Sequence, residues 1–121
     1  MNVKTIERNG TLIAFVQSGE VIISDAQSAL DFVMSINYET GCNHIAINKQ
    51  TITEDFFKLS NCLAGEILQK FINYNVKFAI IGDFSHYQSK SLRDLIYESN
   101  HGKDIYFVPT EEEAFDKLAS V

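Results

Sequence analysis

The stretch Val76-Lys77-Phe78-Ala79-Ile80-Ile81-Gly82-Asp83 decides the fold class. It is a near-continuous apolar run closed by a turn pair. A strand reads this way when both of its faces are covered, as in a parallel sheet with helices packed on it. Upstream, residues 44–48 hold a second short apolar strand, Ile45-Ala46-Ile47. Between the two lies the strongest helical pattern of the chain, predicted to begin near Thr51 or Thr53 and to run to about Tyr74. Phe56, Leu59, Leu63, Ile67 and Phe71 recur there at helical spacing, and Phe57, Ala64, Leu68 and Ile72 widen the apolar face. Downstream, residues 85–91 form a polar loop, and Leu92, Leu95 and Ile96 mark a shorter helix ending near Asn100-His101-Gly102. Residues 105–108 are a last strand, broken by Pro109. Thr110 and Glu113 then have the spacing of a capping box, and Ala114, Phe115 and Leu118 dock a terminal helix.

Toward the start of the chain, residues 3–8 and 11–16 read as two strands joined by Asn9-Gly10, the dipeptide best suited to a two-residue hairpin because both positions need positive φ. Gly19 breaks the second strand, and Val21-Ile22-Ile23 is a short extension. Ser24 with Gln27 has capping-box spacing at the start of a helix whose apolar face is Ala26, Ala29, Leu30, Val33 and Ile36, and Gly41 stops it. The predicted order is hairpin, helix, strand, helix, strand, helix, strand, helix. This is an α/β fold: a mixed, mostly parallel five-stranded sheet flanked by helices, one domain over residues 1–121.

Composition excludes several classes. A hydrophobic content of 45% with 21% charged residues is enough for a core and argues against disorder. The net charge is −6, and the only local basic cluster, Lys90 to Arg93, is followed by Asp94 and Glu98, so no nucleic-acid partner is expected. The two cysteines, Cys42 and Cys62, do not make a disulfide framework and read as small buried thiols, Cys62 within the long helix. His44, His86 and His101 lack metal-ligand spacing, and no Gly-rich phosphate loop precedes a Lys-Ser/Thr pair, so neither a metal nor a cofactor is expected. No apolar run approaches the roughly 20 residues of a membrane span, and Met1-Asn2-Val3-Lys4 leads into a strand rather than a secretory signal. The cytoplasm is the expected compartment.

Ligands of parallel α/β sheets bind outside the carboxyl ends of the strands. Three loops meet there in this reading, and they supply Asn48, Lys49, Thr51, Thr53, Asp83, Ser85, Tyr87, Ser89, Lys90, Ser91 and Arg93, with His86 among them. Ser89-Lys90-Ser91 with Arg93 offers an anion a helix start and two positive charges. The same residues also read as a Ser cap followed by a Lys90–Asp94 pair one helical turn apart. Asp83 at a strand end suits catalysis or ligand binding, and equally the anchoring of its own turn. Asp83 could in principle pair with His86 for base catalysis, but no nucleophile motif accompanies them. Glu54 and Asp55 read as first-turn charge favoured by the helix dipole. Gly65 inside the long helix costs about 1 kcal/mol relative to Ala, which points to close packing against another helix or a partner subunit.

The element order resembles the STAS domain, the fold of bacterial anti-sigma-factor antagonists. That resemblance implies a regulatory module with a phosphorylatable Ser or Thr on the helix after the third strand, which falls in Asn48-Lys49-Gln50-Thr51-Ile52-Thr53-Glu54-Asp55. Thr51 or Thr53 stands near that position, and the family's Asp-Ser-Ser/Thr-Gly-type motif is absent. At finer grain several stretches resemble the bacterial family called domain of unknown function 4180. They are Asn37-Tyr38-Glu39-Thr40-Gly41-Cys42, Ile52-Thr53-Glu54-Asp55-Phe56-Phe57, Leu63-Ala64-Gly65-Glu66-Ile67-Leu68-Gln69-Lys70-Phe71, Gly82-Asp83-Phe84-Ser85, Ser89-Lys90-Ser91-Leu92-Arg93-Asp94 and Glu98-Ser99-Asn100. This second resemblance implies the fold class without an activity.

Three functions are compatible with these readings. The first is a non-enzymatic regulatory or protein-interaction module, favoured by the element order and the lack of a catalytic motif. The second is an enzyme or binder of a small anionic ligand at the strand ends. The third is a structural homodimer built on Gly65 and the wide apolar helix face.

Overall fold

A computed structural model describes residues 1–58 and 62–121. Two antiparallel strands, β1 (Asn2–Arg8) and β2 (Thr11–Gln17), open the chain. Asn9 and Gly10 take φ of 52° and 83°, the pair of positive angles that a hairpin turn matching the strand twist demands. Helix α1 (Ala26–Thr40) leads to β3 (His44–Asn48), helix α2 (Leu63–Asn73) to β4 (Lys77–Ile81), and helix α3 (Lys90–Asn100) to β5 (Ile105–Val108). Helix α4 (Glu111–Ala119) follows. The strands lie in the order β1-β2-β3-β4-β5, with β2 to β5 parallel, so the expected α/β fold with its mixed, mostly parallel sheet is what the chain forms. Among the described residues no helix is long and apolar enough to cross a membrane.

Side-chain alternation explains why the inner strands read as unbroken apolar runs. Ala14, Val16, Ile45, Ile47, Phe78, Ile80, Ile105 and Phe107 face one way and join Phe32, Val33 and Ile36 of α1, Ile67 and Phe71 of α2 and Leu92 of α3. Ile13, Phe15, Ala46, Ala79, Tyr106 and Val108 face the other way and lie beneath Ala114, Phe115 and Leu118 of α4. Each parallel crossover steps one strand further in the same direction. Crossovers of a common hand then place α1, α2 and α3 together on one face and leave α4 to cover the other. Arg8 of β1 fastens α4 through Asp116 at 2.6 Å and Glu112 at 3.0 Å.

Four expectations are corrected. The helix expected from Thr51 or Thr53 to Tyr74 is interrupted. The chain first makes two short 3-10 turns, Lys49–Thr51 and Glu54–Phe57. Between them Ile52 bridges Ile23 in parallel, and the Thr53 N–H donates to the Ile23 carbonyl at 2.8 Å. Lys58 then leaves helical geometry, Cys62 takes φ of 61°, and α2 begins only at Leu63. Leu59, part of the expected periodicity, lies outside the described residues. The second correction is Cys62, which is exposed at the start of α2, whereas Cys42 is buried as expected. Gly65 is the third: a β-carbon there would meet no atom within 4 Å, so within this chain it serves no close helix approach. The fourth is the cap of α1, which is Asp25 with Ser28, one residue after the expected Ser24 and Gln27.

Candidate functional site

The register brings the three expected loops to one rim. Asn48 pairs with Ile81, Ile81 pairs with Val108, and the Gly82 N–H donates to the Val108 carbonyl at 3.0 Å. Asn48, Asp83 and Pro109 therefore emerge together at the carboxyl ends of β3, β4 and β5.

Asn48 is committed to the local fold. Its Oδ1 accepts from the Ser18 N–H and the Thr51 hydroxyl, both at 2.9 Å, and its Nδ2 donates to the Ser18 carbonyl at 2.6 Å and to Gln50 at 2.9 Å. Thr51 is fully buried, and its carbonyl accepts from the N–H groups of Ile22 and Ile23. These bonds stitch the segment after β2 to the segment after β3. Thr53 accepts from the Asp55 N–H at 3.4 Å and caps the short turn Glu54–Phe57.

Lys49 is the hub of the rim. Its stem lies across Gly82, where an added β-carbon would fall 2.8 Å from the Lys49 Cβ. Its ammonium is 3.3 Å from Glu54 Oε1, 4.7 Å from the Tyr87 ring centre and 5.2 Å from that of Phe57, and its side chain is only 16% exposed. The Tyr87 hydroxyl donates to Glu54 Oε2 at 2.6 Å. Burial, then that bond to a carboxylate, hold the Tyr87 hydroxyl well above the ordinary phenol range. Partial burial works to raise Glu54, but the Tyr87 bond and the Lys49 charge outweigh it and keep the carboxyl below its usual value. The two shifts describe one pair, a neutral phenol donating to an ionised carboxylate.

Aromatic rings carry this polar group down into the core. Tyr87 stacks on buried Phe57 at 5.0 Å and 19°. Phe57 meets Phe84 at 5.8 Å, and Phe84 meets buried Phe107 of β5 edge-on at 5.5 Å. His86 lies on the outer side of the column, 4.1 Å from the Tyr87 ring centre.

The remaining expected residues divide. Asp83 Oδ1 accepts from the Ser85 N–H at 2.9 Å and from its hydroxyl at 2.6 Å, a turn closed on itself. Those bonds, with smaller help from the charges of His86 and Lys49, hold Asp83 below the ordinary carboxylate value. Ser89 caps α3 by accepting from the Leu92 N–H at 3.3 Å, and Lys90 pairs with Asp94 at 2.8 Å. Ser91 and Arg93 are exposed on the first turn of α3. The structure thus gathers Asn48, Lys49, Thr51, Thr53, Asp83, Ser85 and Tyr87 around one rim, while Ser89, Lys90, Ser91 and Arg93 open the helix beyond it. Glu54, Phe57 and Phe84 complete the cluster and were not in the expected set.

The shape of the rim follows from strand order. Doubly wound sheets bind ligands where the strand order reverses and two neighbouring crossovers diverge to opposite faces. Here β2 to β5 run in sequence with no reversal, so no such crevice forms. A depression of about 340 Å³ beside the rim is lined by Phe84, Ile96, Phe107 and Pro109, with Asp83 its one charged residue. Among the described residues no three His, Cys, Asp or Glu side chains converge as a metal site requires.

One family model matches residues 8–118, nearly the whole chain. The chain belongs to the family described as Domain of unknown function (DUF4180). No curated protein matches this DUF4180 chain, and no solved structure does.

Proposed function

We propose that this DUF4180 protein is a non-catalytic, regulatory protein-interaction module, and that its contact surface is the rim built around Lys49, Glu54 and Tyr87. One observation carries the reading: the polar groups of the rim are spent on one another and seated on an aromatic column, leaving a preformed surface rather than a reactive pocket. A rigid, aromatic-backed patch lowers the ordering cost of association. The order of elements, which resembles that of STAS domains, supports the same reading. In it the protein is a single domain working in the cytoplasm. An anionic small molecule is less well supported, because the depression beside the rim offers it a carboxylate and apolar rings.

The test is affinity capture from a lysate of the source organism with three baits: the parent, His86→Ala with Tyr87→Ala, and Tyr38→Ala. Tyr38 is 91% exposed on the last turn of α1, toward the opposite rim, and serves as the control. A protein retained by the parent and by the Tyr38 variant, and lost by the rim variant, supports the reading. Equal retention by all three, or co-purification of a metabolite alone, overturns it.

A further inference from the structure

We propose that Lys49, Glu54 and Tyr87 form a clasp that makes two segments of the rim, residues 54–58 and residues 83–89, open and close as one unit. The two segments belong to different crossovers, and Tyr87 and Glu54 are 33 residues apart. The backbone bonds within each segment are short-range. The Tyr87 N–H donates to the Phe84 carbonyl at 3.4 Å, the Phe56 N–H to Thr53 at 3.0 Å and the Lys58 N–H to Asp55 at 3.1 Å. Side chains join one segment to the other.

Three contacts converge on the join. The Tyr87 hydroxyl reaches Glu54 at 2.6 Å, the Lys49 ammonium reaches Glu54 at 3.3 Å, and the Tyr87 ring stacks on Phe57 at 5.0 Å. Lys49 also touches the second segment directly, through its ammonium 4.7 Å from the Tyr87 ring centre. Lifting residues 83–89 alone would strip Glu54 of its hydroxyl donor and uncover one face of Phe57. Lifting residues 54–58 alone would leave the Tyr87 hydroxyl and the Lys49 ammonium without their carboxylate. Once either segment lifts, the other keeps only its short-range backbone bonds and has lost the contacts that held it closed, so the two open together. A partner seated on this rim would select its closed form and tighten both segments together.

Native-state hydrogen exchange with the full chain tests this. The probes are the amides of Phe56 and Lys58 in one segment and of Tyr87 in the other, with Ile45 and Ile80 of the central strands as references. Tyr87→Phe keeps the ring and removes the hydroxyl, and Glu54→Ala removes the shared acceptor from the other side. Each is expected to speed all three rim amides by a common factor, about tenfold for one bond to a charged group, with the references unchanged. Acceleration confined to the substituted segment overturns the proposal, as does no acceleration. Equal acceleration of Ile45 and Ile80 also overturns it, since opening would then be global.

Discussion

Gly82 and Gly65 differ in what a methyl group would meet, and the difference predicts opposite signs. At position 82 a β-carbon falls 2.8 Å from the Lys49 Cβ, an atom held near the backbone that cannot swing aside. Gly82→Ala is expected to destabilise the fold by about 1–3 kcal/mol, as overpacking does. It should also raise the exposure of the Tyr87 ring as it pushes Lys49 away. At position 65 the space is empty and the backbone is helical, so Gly65→Ala is expected to stabilise by about 0.5–1 kcal/mol. Urea midpoints of the two variants, measured beside the parent, check both signs, and a shift of the same sign for the two would refute the packing argument. The same scale shows why part of the rim escaped sequence reading. Asp83, Ser89 and Lys90 act within a few residues of themselves, so turn and cap chemistry is written in their neighbours. Glu54 takes its partner from 33 residues away. Its neighbours announce only first-turn charge, which it also is.

At the scale of elements, apolar periodicity reported which side chains are buried more faithfully than how the backbone delivers them. Phe56, Phe57, Ile67 and Phe71 are all buried, as one long helix would have buried them. Yet the first two sit on a 3-10 turn and the last two on α2. What diverts the chain is the Ile23–Ile52 bridge, a pairing between distant segments that spacing within one segment cannot reveal. The hairpin turn, by contrast, was legible because Asn9-Gly10 carries its own backbone requirement. Edge protection of the sheet is a second device that apolar spacing does not show. The strand β5 ends the sheet, and Asn100 at the close of α3 pairs with it as a strand would. Its Oδ1 accepts from the Phe107 N–H at 2.7 Å and its Nδ2 donates to the Phe107 carbonyl at 3.0 Å. Asn100→Ala leaves both groups of a buried strand residue unpaired and is expected to cost about 1–3 kcal/mol. Chemical denaturation measures that loss. An unchanged midpoint would mean that water replaces the amide without penalty.

At the scale of the whole molecule, strand order and charge decide behaviour together. The sequential order puts three crossovers on one face and denies the rim a crevice, a consequence of topology that no local motif records. The net charge of −6 opposes compactness at neutral pH, so the first effect of acid should be a small gain as repulsion eases. The carboxylates then act in the other direction. Asp25 is held below its ordinary value by the Ser28 N–H and hydroxyl, Asp83 by those of Ser85, and Glu54 by Tyr87 and Lys49 against partial burial. A carboxyl whose pKa is lower folded than unfolded stabilises the fold fully above the unfolded value, about 4, and loses that contribution as pH falls through the folded value. Melting temperature should therefore pass through a maximum near about pH 5 and fall below it. Asp25→Asn with Asp83→Asn keeps an acceptor oxygen at both turns while removing the titration. The double variant is expected to start lower at neutral pH and to lose less between about pH 5 and pH 2 than the parent. A thermal-unfolding series across that range decides it, because parallel curves for parent and variant would show that neither turn is linked to protonation and that acid unfolding acts elsewhere.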